Sequence, residues 1–332
     1  MSFVPSIALK GIESLITSHG GDVNRILWDV GFDPVLLDKA DYPIRGQLLN
    51  DVLEHSAREL NHRFLGLELA EIQGANVLGA LWFLVRNSST VREAIENLID
   101  NYAAHTDSSY FTTESYPGGI NFIYEMNPDI QGDLVQVTEL GLGIACHFFR
   151  RYVLPGWQPS AIKLRVAEPY DKRAMHAVFG SNILFSQDLN CLVLKDEELD
   201  FPIRGASQLQ SQHYRKVVAH KLDFVPAAAL VQVENVIHAS LMTQSCNLSI
   251  VAKTLNLKPR TLQHRLKHHG TSFNTLLQRA KLNLALRYLK TSSLSMTEIA
   301  QRLHFSEPAV FSRFVKKHTG KSPSSIRKAL ES

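Results

Sequence analysis

Two short runs near the end of the chain carry side chains that can read or hold a nucleic acid. In the first, Leu262 and Leu266 stand four apart and anchor a helix inward, leaving Arg260, Gln263, His264 and Lys267 outside. Arginine and glutamine make paired hydrogen bonds to the edges of guanine and adenine. Arg260, Gln263 and His264 are therefore base-reading candidates, and Lys267 is a backbone candidate. In the second run, Phe311 and Val315 point inward, while Pro308, Ala309, Ser312, Arg313 and Lys316 face out. Arg313 joins the base readers. Ser312, Lys316 and Lys317 carry the hydroxyl and ammonium groups that bind phosphate.

Each run belongs to one copy of a repeated unit. Residues 249–257 followed by 258–267 are matched by residues 297–305 followed by 306–316. Val251, Ala252, Leu255 and Leu257 correspond to Ile299, Ala300, Leu303 and Phe305. Self-similarity of this kind marks a duplicated supersecondary unit. Its form is that of a helix-turn-helix, in which one helix packs behind and the next enters the major groove. Ala252 is small enough to let the two helices approach closely. Pro259 and Pro308 fit the first turn of a helix, where a missing N–H costs nothing. Ser306 is expected to cap the second reading helix. Ser295-Met296-Thr297-Glu298 reads as a capping box for its supporting helix, and Ser322-Pro323 opens a closing helix.

A helix over 273–290 joins the copies. Phe273, Leu276, Leu277, Ala280 and Leu284 form one apolar face, and Leu282, Leu286 and Leu289 form a second. A surface helix carries one such stripe. Two stripes suit a rod between two subdomains, holding two reading helices in successive major grooves about 34 Å apart.

Charge is distributed to match. The formal net charge of the 332-residue chain is +3. From Ser240 onward, however, 16 Lys and Arg face three Glu, giving +13 and leaving −10 for the rest. A basic end on an acidic body is the electrostatic footprint of a nucleic-acid-binding domain. The hydrophobic fraction of 45% supports real cores, and the length fits about two domains. The longest apolar run, 78–85, is too short for a membrane span of about 20 residues. The start, Met1-Ser2-Phe3-Val4-Pro5, lacks the pattern of a signal peptide. Cys146, Cys191 and Cys246 are far apart and odd in number, so a reducing cytoplasm is expected, with no disulfide framework and no metal motif. His264 and His268 have the spacing of metal ligands, but no Cys or carboxylate nearby completes a set, so His264 is read as a groove contact and no metal is expected.

The first two hundred residues change pattern along their length. Leu48, Leu49, Val52, Leu53 and Ala57 fall at helical spacing, and Thr90-Val91-Arg92-Glu93 opens another helix as a capping box. Residues 110–116 and 120–126 read as strands joined by Pro117-Gly118-Gly119. A helix over 134–152 follows, then an alternating strand over 162–166, a helix over 171–179 and short strands over 183–185 and 191–194. This order implies an α+β domain ending near Pro202. Residues 205–212 read as linker, followed by helical segments over 214–222 and 227–242. Gly141-Leu142-Gly143 lacks the third glycine of a dinucleotide fingerprint and is read as helix packing.

The segment 247–328 resembles the DNA-binding domain of the AraC/XylS family of transcription regulators. The likeness runs through Leu262-Gln263-His264-Arg265-Leu266, Phe305-Ser306-Glu307-Pro308, Phe311-Ser312-Arg313-Phe314 and Thr319-Gly320-Lys321-Ser322-Pro323. One departure is His304, at a turn where the family usually has glycine. Trp157-Gln158-Pro159, Val178-Phe179-Gly180, Phe185, Asn190-Cys191-Leu192-Val193-Leu194 and Leu199 to Pro202 are similar to the arabinose-binding-type N-terminal domain of one AraC subfamily. That resemblance implies an α+β effector domain rather than a cupin barrel, a small-molecule effector, self-association as a homodimer, contact with RNA polymerase, and no cofactor.

The expected organisation is an effector and dimerisation domain over 1–204, a linker with helical segments over 205–235, and an all-α double helix-turn-helix domain over 236–332. Trp82, Phe83, Tyr102 and His105 are the candidates for an effector pocket. The function expected is a cytoplasmic, effector-responsive, sequence-specific DNA-binding regulator. Two other readings share the basic end: an architectural DNA binder without an effector, and an N-terminal enzyme fused to a DNA-binding domain. The scattered Asp, His and Ser residues follow no triad order, so no catalysis is expected.

Overall fold

The computed structural model describes residues 2–224, 230, 233–234, 236–237, 240–241, 246–255, 257–268, 270–292 and 294–328. The chain divides into two compact units, Met1–Ala228 and Ala229–Ser332. Among the described residues no helix is long and apolar enough to cross a membrane.

The first unit is α+β. Its helices are α1 (Ile12–Ser18), α2 (Val23–Asp29), α3 (Gly46–Glu59), α4 (Leu65–Gln73), α5 (Ala80–Arg86), α6 (Val91–Asn101), α7 (Val135–Phe148), α8 (Arg173–Phe179), α9 (Asp196–Leu199) and α10 (Gln208–Phe224). Strands β1 (Phe3–Pro5) and β2 (Pro43–Arg45) pair antiparallel near the start. A second sheet contains β3 (Ser109–Tyr116), β4 (Gly119–Met126), β5 (Ala161–Lys163), β6 (Ile183–Leu184) and β7 (Cys191–Lys195) in the order β3-β4-β7-β5-β6. All its pairings are antiparallel except that of β5 with β6.

The β3–β4 hairpin closes on Tyr116 opposite Gly119, so the loop is Pro117-Gly118 alone. Gly118 has φ 99°, a left-handed conformation that only glycine adopts without strain. The alternation expected over 162–166 is present as buried Ile162 and Leu164 between half-buried Lys163 and Arg165, but only the first half pairs as strand. The helix expected over 134–152 is α7, followed by one π turn over Phe149–Val153. At α6 the Thr90 hydroxyl accepts from the Glu93 amide at 3.3 Å, as a capping box requires. The return arm differs: the Glu93 carboxylate accepts from the Ser89 amide at 2.8 Å.

Helix α7 packs on α3, α4 and β4. Gly143 lets it approach α4, since a Cβ there would stand 2.8 Å from the Ala70 Cβ. Gly141 admits the Tyr124 ring in the same way, at 2.7 Å. Two buried carboxylates are held by paired guanidinium contacts: Glu139 by Arg63 at 2.8 and 3.0 Å, and Glu125 by Arg165 at 2.7 and 2.9 Å. Bidentate pairing of this kind offsets the cost of removing the charge from water.

Helix α10 packs on α5. Phe83 stacks on Tyr214 with ring centroids 4.7 Å apart, and Arg215 reaches Glu93 at 3.4 Å. Residues 208–224, read from sequence as part of a linker, thus form a helix of the first unit. Of the helix expected over 227–242, the described positions 230, 233–234, 236–237 and 240–241 are helical, and the rest lie outside the described residues. Asn256 and His269 also lie outside them.

Half-buried Asp100, at the end of α6, has its carboxyl pushed from 3.8 up to about 6. Burial is the main cause, Glu96 adds to it, and Arg215 opposes it. A folded pKa above the unfolded one means the folded state binds the proton more tightly. The contribution is fully present below about pH 4 and is lost as pH rises through 6. Asp100→Asn is expected to stabilise this unit by about 1–2 kcal/mol at pH 7 and to leave it unchanged at pH 4. Urea denaturation followed by tryptophan fluorescence checks this, because Trp28, Trp82 and Trp157 all lie in the first unit.

Candidate nucleic-acid interface and internal cavity

The described residues of the second unit form helices and turns with no strand. Its named helices are α11 (Leu248–Thr254), α12 (Pro259–His268), α13 (Phe273–Thr291), α14 (Met296–Arg302), α15 (Pro308–Thr319) and α16 (Pro323–Lys328). Both sequence copies fold the same way, down to the turn. In the first, the Leu255 amide donates to the Val251 carbonyl at 3.1 Å and the Leu257 amide to the Ala252 carbonyl at 2.8 Å. In the second, Leu303 donates to Ile299 at 3.0 Å and Phe305 to Ala300 at 2.9 Å. Val251, Ala252, Ile299 and Ala300 are all buried, as are Leu262, Leu266, Phe311 and Val315. They share one core with Leu276, Ala280, Leu284, Ala285, Tyr288 and Leu289 of α13. The second stripe of α13 is therefore centred on Ala285, Tyr288 and Leu289, with Leu282 and Leu286 only half buried.

The caps follow the sequence in part. Asn247 accepts from Ile250 at 2.9 Å and starts α11. Ser295 and Glu298 form the reciprocal box at α14, at 3.2 and 2.7 Å. Ser322 accepts from Ser325 at 3.2 Å at the start of α16. Helix α15 differs from expectation: its N-cap is Glu307, with no side-chain hydrogen bond, and Pro308 follows in the first turn. Pro308 needs no amide partner, so a Ser306 cap has less to satisfy.

On α12, Arg260, Gln263, His264 and Lys267 are exposed on the face away from Leu262 and Leu266. On α15, Arg313, Lys316 and Lys317 are exposed and Ser312 is half buried. Pro308 and Ala309 are exposed too and offer no side-chain hydrogen bond. The first reading helix thus presents donors and acceptors, and the second presents mainly positive charge.

The turn of the second copy is held by contacts that sequence reading missed. His304 has φ 55°, one of three left-handed non-glycine residues described. Its ring Nε2 lies 3.0 Å from the Leu241 carbonyl, and its own carbonyl accepts from Lys281 Nζ at 3.3 Å. Lys281 also sits over the Phe305 ring at 4.5 Å, and burial pulls its pKa below the usual lysine value. Three long-range contacts thus stabilise a turn that lacks the family's glycine. Their partners, Leu241 and Lys281, lie in two distant segments, which is why no local pattern shows them.

The first unit contains a cavity of about 100 Å³, partly open at its mouth. Trp82, Tyr102 and His105 line it. Phe83 does not: it lies on the other face of α5, 42% exposed, against Tyr214. Tyr102 and Tyr124 are both buried, and the Tyr102 hydroxyl lies 3.3 Å from Ser109 Oγ. Burial pushes the Tyr124 phenol up to about 12 and raises Tyr102 as well, so both stay protonated at neutral pH. Gln73, Ser108, Ser109 and Tyr124 were absent from the sequence reading, and they come from three separate places in the chain.

One other cluster has the composition of a metal site. His19 Nε2 and His62 Nε2 lie 3.0 and 2.7 Å from the same Glu68 oxygen, and their rings stack at 4.2 Å. Hydrogen bonds to Glu68 account for this geometry without an ion. The three cysteines are free; burial raises the thiols of Cys146 and Cys191 to about 12 and that of Cys246 to about 11. None is poised as a nucleophile.

Residues 20–203 match the family model described as the arabinose-binding domain of AraC transcription regulators, and residues 251–329 match a helix-turn-helix domain. The HTH-type transcriptional regulator VirS of Mycobacterium tuberculosis is 27% identical over 339 residues, covering 98% of this chain and 96% of that protein. The ornithine utilization regulator of Pseudomonas aeruginosa is 25% identical over 347 residues, with the same coverage. The crystal structure of the transcriptional regulator CdpR from Pseudomonas aeruginosa aligns over 92% of this chain and 97% of its own, with 18% identity and a TM-score of 0.42.

Replacing His304 separates its strain from its hydrogen bond. His304→Ala keeps the left-handed residue and loses the ring contact, so the second unit is expected to lose about 1 kcal/mol. His304→Gly loses the same contact but relieves the strain, and is expected to fall within about 0.5 kcal/mol of the parent. Far-UV circular dichroism during denaturation reports both units, whereas tryptophan fluorescence reports the first alone. The alanine variant should shift the former and leave the latter in place.

Proposed function

We infer that this chain, which belongs to the AraC transcription regulators with an arabinose-binding type of N-terminal domain, selects its DNA sequence chiefly through α12 and uses α15 chiefly to hold the backbone. It is a DNA-binding transcription regulator with an N-terminal effector domain and a C-terminal helix-turn-helix domain. The observation that carries the division of labour is the difference between the two exposed faces. Arg260, Gln263 and His264 can form specific bonds in a major groove, whereas Arg313, Lys316 and Lys317 offer mainly cationic contact. Arg313 remains the base-reading candidate of α15, with Lys267 and Ser312 as further backbone contacts.

Effector binding and self-association as a dimer belong to residues 1–204, DNA binding to 236–332, and the connection to 205–235, of which α10 packs on the first unit. The cavity is the effector site, with Trp82, Tyr102 and His105 in its wall. Phe83 is left out of that wall by its stacking on Tyr214. Effector binding changes how paired DNA-binding domains engage neighbouring half-sites, and hence their contact with RNA polymerase in the cytoplasm. A coupling of this kind is typically about 1–3 kcal/mol. No cofactor and no catalytic step enter this mechanism.

The test starts from operators selected out of a random DNA pool, followed by anisotropy titrations against single-base variants. Arg260→Ala or Gln263→Ala should each lose preference at one base position, worth about 1–3 kcal/mol there. Lys316→Ala should weaken every sequence alike and reduce the salt slope by about one unit. Uniform weakening by all three would overturn the assignment of base readers. A specific-to-random ratio below about 10³ would instead favour an architectural DNA binder.

A further inference from the structure

The cavity of the first unit is built for a particular chemistry. At about 100 Å³ it approaches the size of an engineered apolar cavity of about 150 Å³ that takes up benzene. Its wall is made largely of side chains such as Leu98, Phe111, Leu140 and Phe149, and it contains no Asp, Glu, Lys or Arg. A zwitterionic amino acid would bury an ammonium group with no carboxylate to meet it. A sugar would bury hydroxyls all round its ring, and each that met an apolar side chain would be left without a partner. Neither suits this wall.

The polar groups in the wall narrow the choice further. Gln73 is 4% exposed, and its Nε2 donates to the carbonyls of Ala8 and Lys10, both at 2.9 Å. Those two acceptors fix the orientation of the amide, and Gln73 Oε1 is left buried without a partner. Ser108, also in the wall and 1% exposed, has an unpartnered Oγ. An unpaired carboxamide oxygen can only accept, so a matching ligand must donate.

We propose that the cavity binds a small, uncharged, mainly apolar alcohol or phenol, whose ring or chain lies against the apolar wall and whose hydroxyl donates to Gln73 Oε1. This rests on the reading of the cavity as the effector site and specifies what that site takes. The class differs from the sugar in the family's name and from the amino acid in the name of one relative.

The full chain is titrated by calorimetry with benzyl alcohol, toluene, L-arabinose and L-ornithine, and DNA affinity is measured with each. Benzyl alcohol and toluene are expected to bind, and arabinose and ornithine to give no heat. Ala145→Phe, which fills the cavity from α7, should abolish both apolar ligands. Gln73→Met should weaken benzyl alcohol about threefold to tenfold and leave toluene unchanged. Retained tryptophan unfolding transitions show that both variants fold. Arabinose or ornithine binding that Ala145→Phe removes would overturn the proposal, as would failure of both apolar ligands to bind. Equal loss of benzyl alcohol and toluene in Gln73→Met would overturn the hydroxyl contact. Benzyl alcohol binding that leaves DNA affinity unmoved supports the cavity chemistry and sinks the effector reading instead.

Discussion

The first unit depends on how closely α7 can lie against its neighbours. Three glycines set that distance. A Cβ on Gly66 would run into the Gln136 carbonyl, one on Gly143 would meet Ala70, and one on Gly141 would meet the Tyr124 ring. With α4 and α7 in near backbone contact, a polar seam becomes possible between them. The Gln136 side chain accepts from the Gly66 amide at 2.8 Å and donates to the Arg63 carbonyl at 2.9 Å, while its own amide donates to Glu54 at 2.9 Å. Arg63 then closes on Glu139. Burial raises the carboxyl groups of both Glu54 and Glu139 despite these donors. The seam is thus better explained as fixing the register of α7 than as a source of net stability. That register puts Gly141 opposite Tyr124, which lies in the cavity wall with Tyr102 and Ser109.

How much of this was legible in the sequence depended on whether the signal was local. Both reading heads could be seen because their determinants recur within a few residues: apolar pairs four apart, a small alanine, a proline in the first turn. Each is enforced by the helix itself. The Ser295–Glu298 box was readable for the same reason, whereas the Thr90 box was half right because Ser89, one residue earlier, competes for the Glu93 carboxylate. The α7 seam was not readable, since Glu54, Arg63, Gln136 and Glu139 meet only after folding. The cavity was partly readable. Trp82, Tyr102 and His105 stood out as aromatic or polar, but Gln73 and Ser108 matter through what they lack, and an unpaired atom leaves no trace in a sequence. Phe83 was misplaced because a single turn of helix decides which face a side chain takes.

The second unit shows how a duplicated frame can support unequal faces. The hydrogen bonds of the two turns are equivalent, and both supporting helices bury the same positions. That inner frame constrains only the residues facing α13. The outward positions are under no packing constraint, so one copy can carry Arg260, Gln263 and His264 while the other carries Pro308 and Ala309. Even inside the frame one substitution is tolerated when neighbours compensate. His304 occupies a left-handed position at a cost of about 1–2 kcal/mol, offset by its bonds to Leu241 and Lys281.

Helix α5 carries two of the aromatic pocket candidates, Trp82 and Phe83, on different faces. It is seven residues long, and its two faces serve different neighbours. Trp82 and Val85 face the cavity, and Phe83 faces Tyr214 of α10. Among the described residues, α10 is the last helix of the first unit along the chain. A molecule in the cavity therefore touches a helix whose other side packs on α10. Because packed interiors are close to incompressible, a side chain displaced by a ligand must be accommodated by rotamer change or by movement of the element that carries it. Trp82 has little freedom for the first, as it is 4% exposed and boxed between the rings of Phe148 and Tyr152 at 5.8 and 5.1 Å. A ligand that displaced Trp82 would therefore press on α5 and, through the Phe83–Tyr214 stack, on α10.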